Sequence, residues 1–141
     1  MKIETEIELE QWMKSNCYTF NSYSINGSFI HNGFGLDNNG GLYSWYYTER
    51  GERRTLKYFK TEEEAVNYAF DQIKSDQYAN RNYIGMIKEK HRLNEIISEL
   101  KKRNIEYWTD EIPYGGFEDM RTRIFVIGCD IKKVADISLP K

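Results

Sequence analysis

The spacing of apolar side chains changes several times along this chain, and each change marks an element. Over Glu4–Lys14, Leu9, Trp12 and Met13 stand at i, i+3 and i+4 with Glu and Lys between them, which predicts a helix. From Cys17 to Ile25 aromatics and Ser/Thr alternate, and Asn26-Gly27 follows. That dipeptide suits a type I′ turn, so a hairpin with Ser28-Phe29-Ile30 as return strand is expected. Asn32-Gly33 and Asn38-Asn39-Gly40-Gly41 mark further turns. Leu42–Glu49 reads as a strand with Tyr43, Trp45 and Tyr47 on one side and Leu42, Ser44 and Tyr46 on the other. Arg50-Gly51 turns the chain, and Arg53–Lys60 returns. Thr61-Glu62-Glu63-Glu64 has the form of a capping box ahead of the stripe Val66, Ala69, Phe70 and Ile73.

The alternation then repeats. Tyr83–Lys88 predicts a strand, and Arg92–Arg103 a helix with Leu93, Ile96, Ile97 and Leu100 on one face and Asn104 at its C-terminal end. Ile105–Asp110 and Arg123–Gly128 predict strands. The core of the second, Ile124-Phe125-Val126-Ile127, is apolar on both faces and suits a central position. Asp130 opens a short helix through Val134 and Ile137. The expected class is α+β with mostly antiparallel sheet: an N-terminal helix, an antiparallel β-meander plus helix, then a β-α-β-β-α unit. No linker divides the chain, so it reads as one α+β domain over 1–141, meander-rich to about residue 80 and β-α-β-β-α from about 81.

Composition narrows the classes. The 141 residues include 11 Tyr, 7 Phe and 3 Trp, enough for a core, and carry 20 basic against 22 acidic side chains for a net charge of −2. That balance argues against a general nucleic-acid binder. Between Ser15 and Thr48 the sole formal charge is Asp37. No apolar run approaches the ~20 residues a membrane helix needs, and the acidic start from Met1 to Glu6 lacks a secretory apolar region. Cys17 and Cys129 are too few for a disulfide scaffold. The expectation is a cytoplasmic protein.

Candidate chemistry is sparse. Nothing in the spacing brings Cys17 or Cys129 to His31 or His91, and no hydrolase elbow or zinc motif occurs. The expectation is no catalysis, no cofactor and no metal. Gly33, Gly35, Gly40 and Gly41 precede a strand where a phosphate loop needs a helix, so they read as hairpin turns. Glu62–Glu64 fit the first turn of a helix, where carboxylates favour the dipole. Arg50, Arg53, Arg54, Lys57 and Lys60 offer a basic hairpin for nucleic acid, although such residues also guard sheet edges. Tyr43, Trp45, Tyr47 and Trp108 offer an aromatic-lined ligand pocket. The most unusual segment is Tyr107–Arg121. It reads as a long connection holding Tyr114 and Phe117 among Asp110, Glu111, Glu118 and Asp119. Aromatic anchors among charges suit a protein partner. The competing reading folds the two rings back over the sheet as a small core.

The run Gly41-Leu42-Tyr43-Ser44-Trp45-Tyr46-Tyr47-Thr48-Glu49-Arg50-Gly51 resembles small bacterial immunity proteins of polymorphic toxin systems. So do Tyr107-Trp108, Ile112-Pro113-Tyr114-Gly115-Gly116 and Phe125-Val126-Ile127-Gly128-Cys129-Asp130, and the likeness extends from about His31 to Ile137. The resemblance implies a cytoplasmic antitoxin that binds the toxic domain of a secreted effector, often a nuclease, and blocks it. It implies no catalysis and no cofactor, and it carries over no binding residues. The expected partner is therefore a cognate toxin domain. Asp110, Glu111, Tyr114, Phe117, Glu118 and Asp119 are assigned to that interface on chemistry alone. The alternatives are a nucleic-acid-binding regulator using Arg50–Lys60 and a small-ligand-binding domain.

Overall fold

A computed structural model describes residues 2–137, 139 and 140. Met1, where the acidic start begins, and Ser138 and Lys141 within the span 1–141 lie outside the described residues. The fold is α+β, and the chain divides into two compact units, Met1–Ala79 and Asn80–Lys141.

The first unit contains α1 (Glu6–Ser15), β1 (Tyr23–Ser24), β2 (Gly33–Asn39), β3 (Leu42–Glu49), β4 (Glu52–Phe59) and α2 (Glu62–Ser75). A complete capping box starts α1: the Thr5 hydroxyl accepts from Glu8 N–H at 3.1 Å, and Glu8 Oε1 accepts from Thr5 N–H at 3.1 Å. The box expected at Thr61 is only half formed. Thr61 Oγ1 accepts from Glu64 N–H, but the Glu64 carboxylate takes the Thr61 hydroxyl instead of its backbone. The helices bury Leu9, Met13, Val66, Ala69 and Ile73 with Trp45 and Leu36 of the sheet.

The sheet runs β1-β2-β3-β4. Gly40-Gly41 and Arg50-Gly51 make two-residue turns with positive φ at both positions, as type I′ hairpins require. The hairpin expected around Asn26-Gly27 does not form. The turn is present, with φ of 55° and 82°, but Ser28–Ile30 is not a strand. Instead β1 pairs with β2, and in parallel. Glycines at 33 and 35 explain the choice. A Cβ at Gly33 would lie 2.1 Å from Ser22 O, and one at Gly35 would lie 2.9 Å from Ser24 Cβ, so only this bare stretch of β2 admits β1 alongside. The sheet is mixed for that reason, where an antiparallel meander was expected. On its far side β4 is an edge strand, exposed from Glu52 to Tyr58. A register shift opposite Trp45/Tyr46 leaves Leu56 as a bulge.

The second unit contains β5 (Arg81–Ile87), α3 (Lys90–Lys102), β6 (Tyr107–Pro113), β7 (Met120–Ile127) and a 3₁₀ segment, Gly128–Lys133, where a short helix from Asp130 was expected. Its antiparallel sheet runs β5-β7-β6, so the strand apolar on both faces is the central one. Ile84, Ile96, Leu100, Ile124 and Val126 form its core. Helix α3 ends in a Schellman motif. Asn104, at φ 56°, donates to Lys101 O at 3.1 Å, and Ile105 donates to Leu100 O at 2.9 Å.

Candidate functional site

The segment singled out by sequence is the β6–β7 hairpin of the second unit. The ladder runs from Tyr107↔Val126 to Pro113↔Met120. Asp110–Pro113 are therefore strand residues, and the connection spans only 114–119. Asp110 lies opposite Arg123. The guanidinium grips its carboxylate twice, Nε to Oδ1 at 2.8 Å and Nη2 to Oδ2, a bidentate pair that locks the register. Asp110, assigned to the interface on chemistry, is thus already paired within the fold.

Backbone bonds shape the tip. Gly116 N–H donates to Pro113 O at 3.2 Å and Asp119 N–H to Gly116 O at 3.0 Å. Asp119 is likewise engaged, accepting from Arg121 Nε at 3.1 Å and facing Lys88 Nζ at 3.3 Å. The hydrogen bond from Arg121, then Lys88, holds the Asp119 carboxyl below its ordinary range. Held by Asp119, Arg121 lies 4.0 Å over the Tyr114 ring. Tyr114 is 58 % exposed and Phe117 90 %. The small-core reading of these two rings is thereby overturned. Glu111 and Glu118 are exposed. The tip is thus an aromatic knob in which Asp110 and Asp119 are paired with cations and Glu111 and Glu118 stand exposed.

Sequence reading missed Met120, Arg121, Arg123 and Lys88. Folding the hairpin about Gly116 would have found the two arginines, since it places Arg123 across from Asp110. Nothing local announces Lys88, which directly follows β5. A hollow of about 200 Å³ adjoins the knob, lined among others by Lys88, Leu93, Glu111 and Met120.

The alternative sites fare differently. The basic set splits between the two faces of β4. Arg53 pairs with Asp37 at 2.7 Å and covers Tyr46 on one face, while Lys57 sits 4.8 Å from the Tyr68 ring on the other. In the proposed aromatic pocket, Trp45 is 2 % exposed and stacks on Phe34 at 5.7 Å. Tyr43 packs against the same core, and Tyr47 against Phe34 at 5.0 Å. Trp108 belongs to the second unit, 5.2 Å from Phe125. These rings are packing, not a lined cavity. The His31 ring stands perpendicular to that of Phe29, and His91 is exposed on α3. Neither Cys17 nor Cys129 is a free thiol. Among the described residues no group of three or more His, Cys, Asp or Glu is disposed to hold a metal ion, and no helix is long and apolar enough to cross a membrane.

No family model, curated protein or solved structure matches this chain.

Proposed function

We propose that this chain is a non-enzymatic protein-binding inhibitor, an immunity protein that neutralises a toxin domain, and that it engages its partner through the β6–β7 tip. The observation that carries the reading is Phe117: a large ring 90 % exposed at the end of a hairpin whose register is locked by Arg123 and whose tip is braced by Asp119. A rigid, presented aromatic costs little ordering entropy when it enters a partner's pocket. The matched charges around it favour orientation and encounter rate over raw attraction. The sequence resemblance supplies the toxin as the partner class, and the tip supplies a surface suited to one. A cytoplasmic setting belongs to the same proposal, and the bonded state of the two cysteines weighs against that part of it.

The test is capture of a co-expressed or native toxin domain by the wild-type chain and by Phe117→Ala. Because Phe117 touches so little of its own fold, the substitution should change stability by no more than about 0.5 kcal/mol. As an anchor its loss should weaken a stable complex by about 2 kcal/mol or more, some thirtyfold. Equal binding by both proteins rejects the tip as the interface. A complex with nucleic acid that dissolves as salt rises replaces the reading with the basic-hairpin one.

A further inference from the structure

On the first unit, facing away from α1 and α2, a cleft of about 470 Å³ opens between the sheet and residues 27–31. Its sheet side is Tyr46 of β3, Arg53 of β4 and Asp37 of β2, and its loop side is Phe29, Ile30 and His31. The size is that of a small-molecule site. The loop is fixed at both ends. Asn26 N–H donates to Glu6 Oε1 at 3.1 Å, and Asn32 Oδ1 accepts from Arg50 N–H at 3.2 Å. Phe29 is nonetheless 78 % exposed, its ring perpendicular to that of His31 at 4.9 Å. An ordered loop thus holds a bare aromatic face over polar ground.

The hydrogen-bonding groups show what the cleft has to offer. The three aliphatic hydroxyls are committed within the fold: Ser24 donates to Ser28 O, Ser28 Oγ accepts from Ile25 N–H and reaches Tyr23 O, and Thr48 donates to Glu52 O. What remains is the Arg53 donors, the Asp37 acceptors, the Tyr46 hydroxyl and the His31 ring. Arg53 and Asp37 lie 2.7 Å apart, and among the described residues neither makes a second ion pair. Donor and acceptor therefore stand side by side, and any ligand with net charge meets a like charge at the same place. A pair of neighbouring hydroxyls satisfies both, one donating to the carboxylate and one accepting from the guanidinium.

From this arrangement we infer that the cleft binds a neutral pyranose sugar, its C–H face on Phe29 and two vicinal hydroxyls on Asp37 and Arg53. Gly35 and Tyr46 build the ground beneath. The Tyr46 ring lies across Gly35, where a Cβ would stand 2.4 Å from its hydroxyl, and Arg53 stacks on that ring at 3.9 Å. The guanidinium plane is so held ready instead of being ordered on binding. The site shares no residue with the β6–β7 tip and stands or falls separately from the inhibitor reading.

The experiment is an NMR titration of the full, nitrogen-labelled chain. The neutral probes are the methyl glycosides of glucose, galactose, mannose and N-acetylglucosamine. The charged probes are inorganic phosphate and methylguanidinium. At least one glycoside should move the amides of residues 27–31, 37, 46 and 53, and Phe29→Ala and Asp37→Asn should each weaken it about tenfold or more. Both side chains are at the surface, and the same spectra verify that each variant is folded. For a glycoside that binds, its trisaccharide binding more tightly assigns a chain-linked sugar, and equal binding assigns a single one. The proposal is overturned if no glycoside moves these amides, if a charged probe moves them and the glycosides do not, or if both variants bind like the wild type.

Discussion

Tyr46 is 4 % exposed because Gly35 has no side chain, and that one vacancy is felt at several neighbours. An added methyl at 35 would meet the Tyr46 hydroxyl at 2.4 Å, its Cζ at 2.6 Å and Ser24 Cβ at 2.9 Å. Tyr46 cannot swing away without unstacking Arg53 and exposing its ring. Gly35→Ala should therefore destabilise the first unit by about 1–3 kcal/mol, the range for overpacking, measured by urea unfolding. Phe117 is the opposite kind of residue, one whose removal the fold should hardly notice. Neither character was legible in the sequence. A glycine in Gly33-Phe34-Gly35 reads as a turn signal, and the ring that needs its bareness is eleven positions away. Exposure of Phe117 depends on where the hairpin folds, which local composition leaves open between a tucked and a presented ring.

Among the elements, those fixed by neighbours in sequence were read well, and those fixed by distant partners were not. The Gly40-Gly41 and Arg50-Gly51 turns, the stripe of α2 and the Asn104 terminus all depend on residues within a few positions of each other. The parallel β1–β2 pair depends on where Gly33 and Gly35 come to lie, and no period announces that. The sequence reading ends this strand, β6, at Asp110, because Glu111 and Pro113 carry weak strand preference. The ladder with β7 overrides it, and Pro113 is tolerated because β6 is an edge strand. The cross-strand pair makes a prediction at this scale. Asp110→Lys places a second cation directly opposite Arg123 and should cost about 0.5–1 kcal/mol in urea unfolding. Adding Arg123→Asp to that variant should restore most of the loss. A double variant as unstable as the single would show that the pair does not act as a pair.

For the molecule as a whole, acid should act differently on different carboxylates. Arg103 clamps Asp136 with two bonds of 2.8 Å, and that hydrogen bonding holds the Asp136 carboxyl down to about 2. A carboxyl lowered by folding contributes stability above its unfolded value of roughly 4 and loses it as pH falls through the folded one. The stability difference between wild type and Asp136→Asn should thus be constant near neutrality and close between about pH 4 and pH 2, followed by chemical unfolding across that range. A difference that persists at pH 2 would reject the pairing. Glu6 has the other sign. Burial is the main cause that raises its carboxyl, with Glu62 adding to it, so mild acid favours its folded form. The net acidity of the chain is pooled in the first unit, where 12 acidic side chains face 8 basic ones, while the second carries 10 acidic and 12 basic, so a total of −2 said little about either.

The order of strands in the second sheet also has a consequence in time. Of the three strands of this sheet β7 is the last to leave the ribosome, yet it is the one on which both β5 and β6 are laid. Until Met120–Ile127 has been made, β5 has no strand to pair with, and Ile84 and Ile87, buried in the finished unit, stay uncovered by sheet. β5 is thus held waiting through the synthesis of α3 and β6, and during that interval the nascent chain is most in need of a chaperone.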